Sequence, residues 1–171
     1  DLQPLPVGQV GEICCRGPGV FAGYYDNPEA TAKALRGGWF HTGDLGRMDD
    51  RGLVYITGRE SDMYISGGSN VYPREVEEVI LTHPGVAEVA VLGVPDEKWG
   101  EVGVAVIVAR QPGLSAPDIL QHLEGRCAKY RWPRHVFFWD ALPKSGYGKI
   151  TKKDVRQQLY ARGDLQEPTV A

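Results

Sequence analysis

Short blocks of apolar and polar residues alternate along the chain, and their periods change part-way. Residues 10–15 are largely apolar and predict a strand. Asn27-Pro28-Glu29 places a capping residue before a proline at the first helical position, and Gly37-Gly38 closes the helix that follows. Residues 45–48 and 53–57 flank the polar turn Asp49-Asp50-Arg51-Gly52, which predicts a hairpin. Beyond Gly58-Arg59 the pattern becomes mixed. Pro73 opens a helix with Val76, Val79 and Ile80 at i, i+3, i+4 spacing, and His83-Pro84-Gly85 ends it. Residues 86–94 and 102–109 are Val- and Ala-rich strands joined by a polar link through Asp96 and Lys98. Ser115 and Asp118 have capping-box spacing before a second helix, and residues 134–139 predict a third strand. Thr151 and Asp154 repeat the capping spacing ahead of a last helix, to about Arg162. The expected fold is α+β: a β-rich segment over residues 1–61, then an α+β unit over 62–171 with a central three-stranded sheet.

Composition narrows the class. With 171 residues, 42% hydrophobic and 24% charged, the chain is globular in character and holds one domain or two small ones. Its net charge of -3 gives no electrostatic reason to bind nucleic acid. No apolar run reaches the ~20 residues of a membrane-spanning helix. The opening residues lack the basic and apolar regions of a signal peptide, and Thr169-Val170-Ala171 is not a peroxisomal address. The sequence starts without Met and in mid-pattern, like a piece of a longer protein. Cys14, Cys15 and Cys127 include no CxxC pair, so they are expected as small core residues in a reducing, cytoplasmic setting, with no metal site.

Three segments are richer in glycine and polar groups than a plain fold requires. In Trp39-Phe40-His41-Thr42-Gly43-Asp44, Gly43 lets the chain turn and Asp44 offers two acceptor oxygens. One carboxylate can accept from both hydroxyls of a ribose, although a turn cap is the plainer reading. Arg59 ends a strand, where its planar fork suits a ribose or a phosphate. Gly67-Gly68 permits close approach of a narrow ligand, or merely joins a strand to a helix. In Pro143-Lys144-Ser145-Gly146-Tyr147-Gly148-Lys149-Ile150, Lys149 follows a flexible Gly-Tyr-Gly segment and can be delivered to a distant site, or stay solvated. Gly148-Lys149 is not a P-loop: the first glycine of that pattern is missing and Ile150 replaces its Ser or Thr.

In this order, with GEI, NPEAT, ISGGSNVYPREVE and GVPDEKWGE between them, the segments resemble the adenylate-forming superfamily: acyl-CoA synthetases, peptide-synthetase adenylation domains and luciferases. The likeness runs from about Gly11 to Leu159 and is strongest to fatty acyl and related aryl acid ligases. The resemblance implies that ATP and a carboxylic acid give an acyl-adenylate and pyrophosphate, after which the thiol of coenzyme A displaces AMP. It implies that Asp44 and Arg59 bind the ribose of ATP or AMP, that Asp62 is the hinge of a mobile lid, and that Lys149 is the adenylation lysine. Gly67 and Gly68 match the loop along the pantetheine tunnel. Residues 1–61 then correspond to the last subdomain of a large N-terminal domain and 62–171 to the lid. The family's phosphate-binding loop, its adenine segment, its acyl pocket and most of its Mg2+ ligands belong to a preceding part absent from this sequence, so the chain alone is expected to be inactive. Ser61, Ser69 and Tyr147 depart from the commonest family residues.

Three other readings fit less well. A peptide-synthetase fragment would continue into a carrier domain. A non-catalytic binding module would have no use for Asp44, Arg59 and Lys149 together. A nucleic-acid surface around Lys129-Tyr130-Arg131-Trp132 conflicts with the negative charge, and that cluster suits a solvated face or the phosphates of coenzyme A.

Overall fold

A computed structural model describes residues 2–166; the terminal address considered at residues 169–171 lies outside them. The chain divides into two compact units, Asp1–Ser61 and Asp62–Ala171.

In the first unit, strands β1 (Gly11–Cys15), β2 (Phe40–Met48) and β3 (Val54–Arg59) form an antiparallel sheet in sequence order. Helix α1 (Pro28–Ala34) starts as its sequence predicts, with the Asn27 side chain accepting the Ala30 N–H at 3.0 Å and Pro28 at the first position. The β2–β3 hairpin turns where the polar run lies: the Asp49 carboxylate accepts the N–H groups of Arg51 and Leu53, both at 2.9 Å. Such an Asx turn satisfies backbone donors that the ladder leaves over.

The second unit is a sheet covered on both faces. Strands β4 (Tyr64–Ser66) and β5 (Ser69–Val71) make a hairpin, followed by helix α2 (Pro73–Leu81). Strands β6 (Val86–Asp96) and β7 (Gly100–Ala109), helix α3 (Ala116–Leu123), strand β8 (His135–Phe138) and helix α4 (Lys152–Ala161) complete it. The sheet order is β5-β4-β7-β6, with β8 added parallel to β7. The sheet thus has five strands rather than three. The two extra strands lie where the sequence reads as a glycine-rich loop, because strands of three residues are too short to show a period.

Side chains on successive residues of β6 and β7 go to opposite cores. Val89, Val91, Ala105 and Ile107 pack with Val76 and Ile80 of α2 and Ile119 and Leu123 of α3. Ala90, Leu92, Val104 and Val106 pack with Val155 and Leu159 of α4. A strand buried on both faces reads as a continuous apolar run, which is how these two read in the sequence. One interruption has a purpose. Gly93 and Gly103 face each other across β6 and β7, and a Cβ at either would lie 2.4 Å or less from Tyr64. The paired glycines leave the slot that the buried Tyr64 fills, and burial raises the pKa of its phenol.

The predicted capping box holds at α3, where the Ser115 N–H donates to Asp118 Oδ2 at 2.9 Å. It fails at α4: Asp154 N–H bonds the Thr151 carbonyl, and no side chain caps that helix. The cysteines are all free, but Cys15 is exposed and Cys14 and Cys127 are only partly buried, so none is a true core residue. No helix of the described residues is long and apolar enough to cross a membrane.

Candidate functional site

Asp44 stands on a distortion of β2. The pairing of β1 with β2 shifts from Glu12↔Leu45 to Cys14↔His41, so one residue of β1 opposes the three residues Thr42, Gly43 and Asp44. Gly43 takes φ 72°, a left-handed conformation that favours glycine. Hydrogen bonds fix the bulge: the Thr42 hydroxyl donates to the Ile13 carbonyl at 2.7 Å and accepts the Asp44 N–H at 3.0 Å. Bulges commonly re-aim one side chain, and here that side chain is Asp44.

Glu12 anchors the same bulge from β1. Its carboxylate accepts the Gly43 N–H at 3.1 Å, meets His41 Nδ1 at 2.6 Å and pairs with Arg36 at 3.0 Å. Burial would raise the Glu12 pKa, but the His41 and Gly43 hydrogen bonds, with the charges of His41 and Arg36, outweigh it and hold it below 4.5. Glu12, Cys14 and His41 bring ligand-type atoms within 4.8 Å of one another. The Glu12 oxygens are already engaged by three donors, the Arg36 guanidinium among them, and burial raises the Cys14 pKa, so this donor set does not suit a metal ion. The sequence gives no hint of this network, because Glu12 and His41 meet only through strand pairing.

Across the hairpin, Asp44 pairs in register with Arg59, and Arg59 Nε lies 3.1 Å from Asp44 Oδ1. Arg59 is 63% and Asp44 31% exposed. An exposed pair of this kind is worth ~0–1 kcal/mol, little enough for ligand hydroxyls to compete for both groups.

Gly67 and Gly68 form the two-residue turn between Ser66 and Ser69, with φ 56° and 80°. A type I′ turn needs positive φ at both positions. Gly67 also lies against Trp99: its N–H donates to the Trp99 carbonyl at 2.9 Å, and a Cβ would come within 2.6 Å of the indole.

Lys149 lies on the exposed loop between β8 and α4. The expected flexible tether is a closed turn instead. Lys144 and Ile150 form a bridge at its base, Ser145 N–H bonds the Lys149 carbonyl at 2.8 Å, and Gly148 N–H bonds the Ser145 carbonyl at 2.8 Å. Lys144 reaches Glu88 at 2.6 Å and ties the base to β6. The Lys149 ammonium has no ion pair or hydrogen bond among the described residues. Asp62, at the start of this unit, lies 3.7 Å from Lys152 Nζ, which also meets Glu77 at 2.8 Å. The candidate residues therefore fall in two groups. Asp44 and Arg59 are joined in the first unit, and Asp62, Gly67, Gly68 and Lys149 occupy separate places in the second.

Residues 75–149 match the AMP-binding enzyme C-terminal domain, and the chain as a whole is similar to adenylate-forming enzymes. Curated relatives include CoA ligases for varied acids, and similar solved structures include an amide bond synthetase from Marinactinospora thermotolerans, 38% identical with TM-score 0.84. Indoleacetate–CoA ligase of Aromatoleum aromaticum is 47% identical over 99% of this chain and 32% of its own length. A long-chain-fatty-acid–CoA ligase of Mycobacterium tuberculosis is 47% identical over 88% of this chain and 30% of its own. Among solved structures, o-succinylbenzoate CoA synthetase from Bacillus subtilis, in complex with its acyl-adenylate intermediate, superposes with TM-score 0.84 at 39% identity, covering 89% of this chain and 31% of that one. The chain spans about a third of the length of the curated relatives it matches.

Proposed function

We propose that this chain is the C-terminal part of an AMP-forming acid–CoA ligase. It works with a larger preceding domain that holds most of the ATP, its Mg2+ and the acyl pocket. The observation that carries the proposal is Lys149: a lysine with no partner among the described residues, held on a bridged turn of a matched AMP-binding C-terminal domain.

Each residue then has a task that its chemistry suits. Asp44 accepts hydrogen bonds from the ribose hydroxyls of ATP and AMP, and Arg59 beside it donates to the same sugar. Lys149 brings a point charge to the acid's carboxylate and the α-phosphate, where negative charge gathers as the adenylate forms. Asp62 is the pivot on which the second unit turns between half-reactions. After that turn, Gly67 and Gly68 line the path of the pantetheine arm, where a side chain would obstruct a narrow ligand.

The proposed acid is a fatty acid, supported by the motif likeness and by the long-chain relative. Equal identity to an indoleacetate ligase makes aryl-acetic acids the competing arm. The test is acid-dependent ATP–pyrophosphate exchange by the full-length protein over fatty and aryl acids, wild type against Lys149→Ala. Exchange that drops ~10²–10³-fold in the variant is expected. No exchange with any acid, or exchange untouched by the substitution, would sink the mechanism. A strongest response to an aryl acid would overturn the fatty-acid assignment alone.

A further inference from the structure

Lys152 is the first residue of α4, directly after the turn that carries Lys149. Its ammonium lies 2.8 Å from Glu77 Oε1 on α2 and 3.7 Å from Asp62 Oδ2. The same Glu77 oxygen accepts the Val91 N–H of β6 at 2.8 Å. The Glu77 side chain is 9% and that of Lys152 22% exposed, so this pair is sheltered where most ion pairs of the chain are open. A largely buried charge pair is weak evidence for stability, because desolvation offsets much of the attraction; fixing one arrangement is its better-attested use. Here it joins four parts: the first residue of the unit, α2, β6 and the start of α4.

We propose that Lys152 is a positioning residue that sets where Lys149 stands relative to the pivot at Asp62. The inference rests on the acid–CoA ligase reading. If the unit swings about Asp62, the reach of Lys149 depends on the rigidity of the path from Asp62 to the base of its turn. That path runs through Lys152 Nζ and three residues of backbone. Gly67 and Gly68 sit on the β4–β5 hairpin, outside it. Loss of the clamp should therefore impair the step that uses Lys149 and spare the step that uses the hairpin.

Removing Lys152 alone strands Glu77 in a sheltered site, so the informative variant is Glu77→Gln with Lys152→Met. Gln keeps an acceptor for the Val91 N–H while both charges leave. In the full-length protein, ATP–pyrophosphate exchange is measured with the best acid of the panel, and thioester formation is measured from supplied acyl-adenylate and coenzyme A. Exchange is expected to fall ~10–100-fold, the scale of a small misplacement of a catalytic group, with thioester formation nearly unchanged. Lys152→Arg should restore most of the exchange. Adding the pair to Lys149→Ala should cost nothing further, since both act through one group. Equal loss in both half-reactions, unchanged exchange, or a further loss in the Lys149→Ala background would overturn the inference and leave the ligase reading standing. A wild type without exchange would overturn that reading, and this one with it.

Discussion

Glu12 shows how much a single side chain can hold. It accepts from a backbone N–H, a histidine and an arginine, and so steadies the bulge that aims Asp44. Because its pKa is lowered in the folded state, its contribution to stability is full above 4.5 and is lost as pH falls through the folded value. Glu12→Gln should lower stability at neutral pH and flatten its decline on acidification, as thermal melts between about pH 3 and pH 7 would register. A decline as steep as the wild type's would exclude Glu12 as its source. At the hairpin, the two glycines should differ. Gly67→Ala places a Cβ against Trp99 at positive φ and should cost more than the ~1–2 kcal/mol of the left-handed conformation alone. Gly68→Asn meets no atom within 4 Å and should cost far less, since Asn visits this region. Chemical denaturation of both variants separates them. Asp44, Arg59 and Lys149 were legible in the sequence as polar residues beside glycines. Glu12, His41 and Lys152 were not, because their partners lie 24 or more residues away and nothing local marks them.

Among the elements, those with a strong local signal appear where the pattern puts them: α1 with its Asn27 cap, the β2–β3 hairpin, α2 on its apolar stripe, and β6 and β7. Hairpin β4–β5 was lost among glycines, and the cap foreseen at Thr151 went instead to backbone bonding. Helix α4 matters for what it carries, and Val155 and Leu159 are its fully buried contacts. Leu159→Ala should destabilise the second unit by about 2–5 kcal/mol, the range for a buried leucine that leaves a cavity. Tyr147→Ala removes a side chain that is 95% exposed and should change stability by under ~0.5 kcal/mol. Urea unfolding distinguishes the two, and a large effect at Tyr147 would mean that its turn is packed against something.

Between the two units the burial is lopsided. Leu45 is the one buried apolar side chain of the first unit among the described residues, while the second has two cores. On β3, Val54 and Ile56 are 57% and 60% exposed. A unit with so little apolar burial has little to offset its conformational entropy. Hydrogen exchange on this chain should therefore find the slowest amides in β6 and β7, with β1, β2 and β3 opening at far lower free energy. Equal protection in both units would show that the first is stabilised by something other than its own core. The chain by itself should also show no acid-dependent exchange of pyrophosphate. Activity in the isolated chain would refute the division of labour proposed above.

In the sequence, caps, turns and apolar periods, which act over a few residues, marked most of the elements, and the likeness of contiguous motifs to the adenylate-forming superfamily implied the class. Tertiary structure decided how those segments are held. Strand pairing brings Glu12 to His41 and Asp44 to Arg59, a slot of paired glycines receives Tyr64, and the packing of α2 against β6 sets Glu77 before Lys152. Each of these depends on groups that meet only after the chain has folded, and a one-dimensional pattern does not specify distances between residues that are far apart along it.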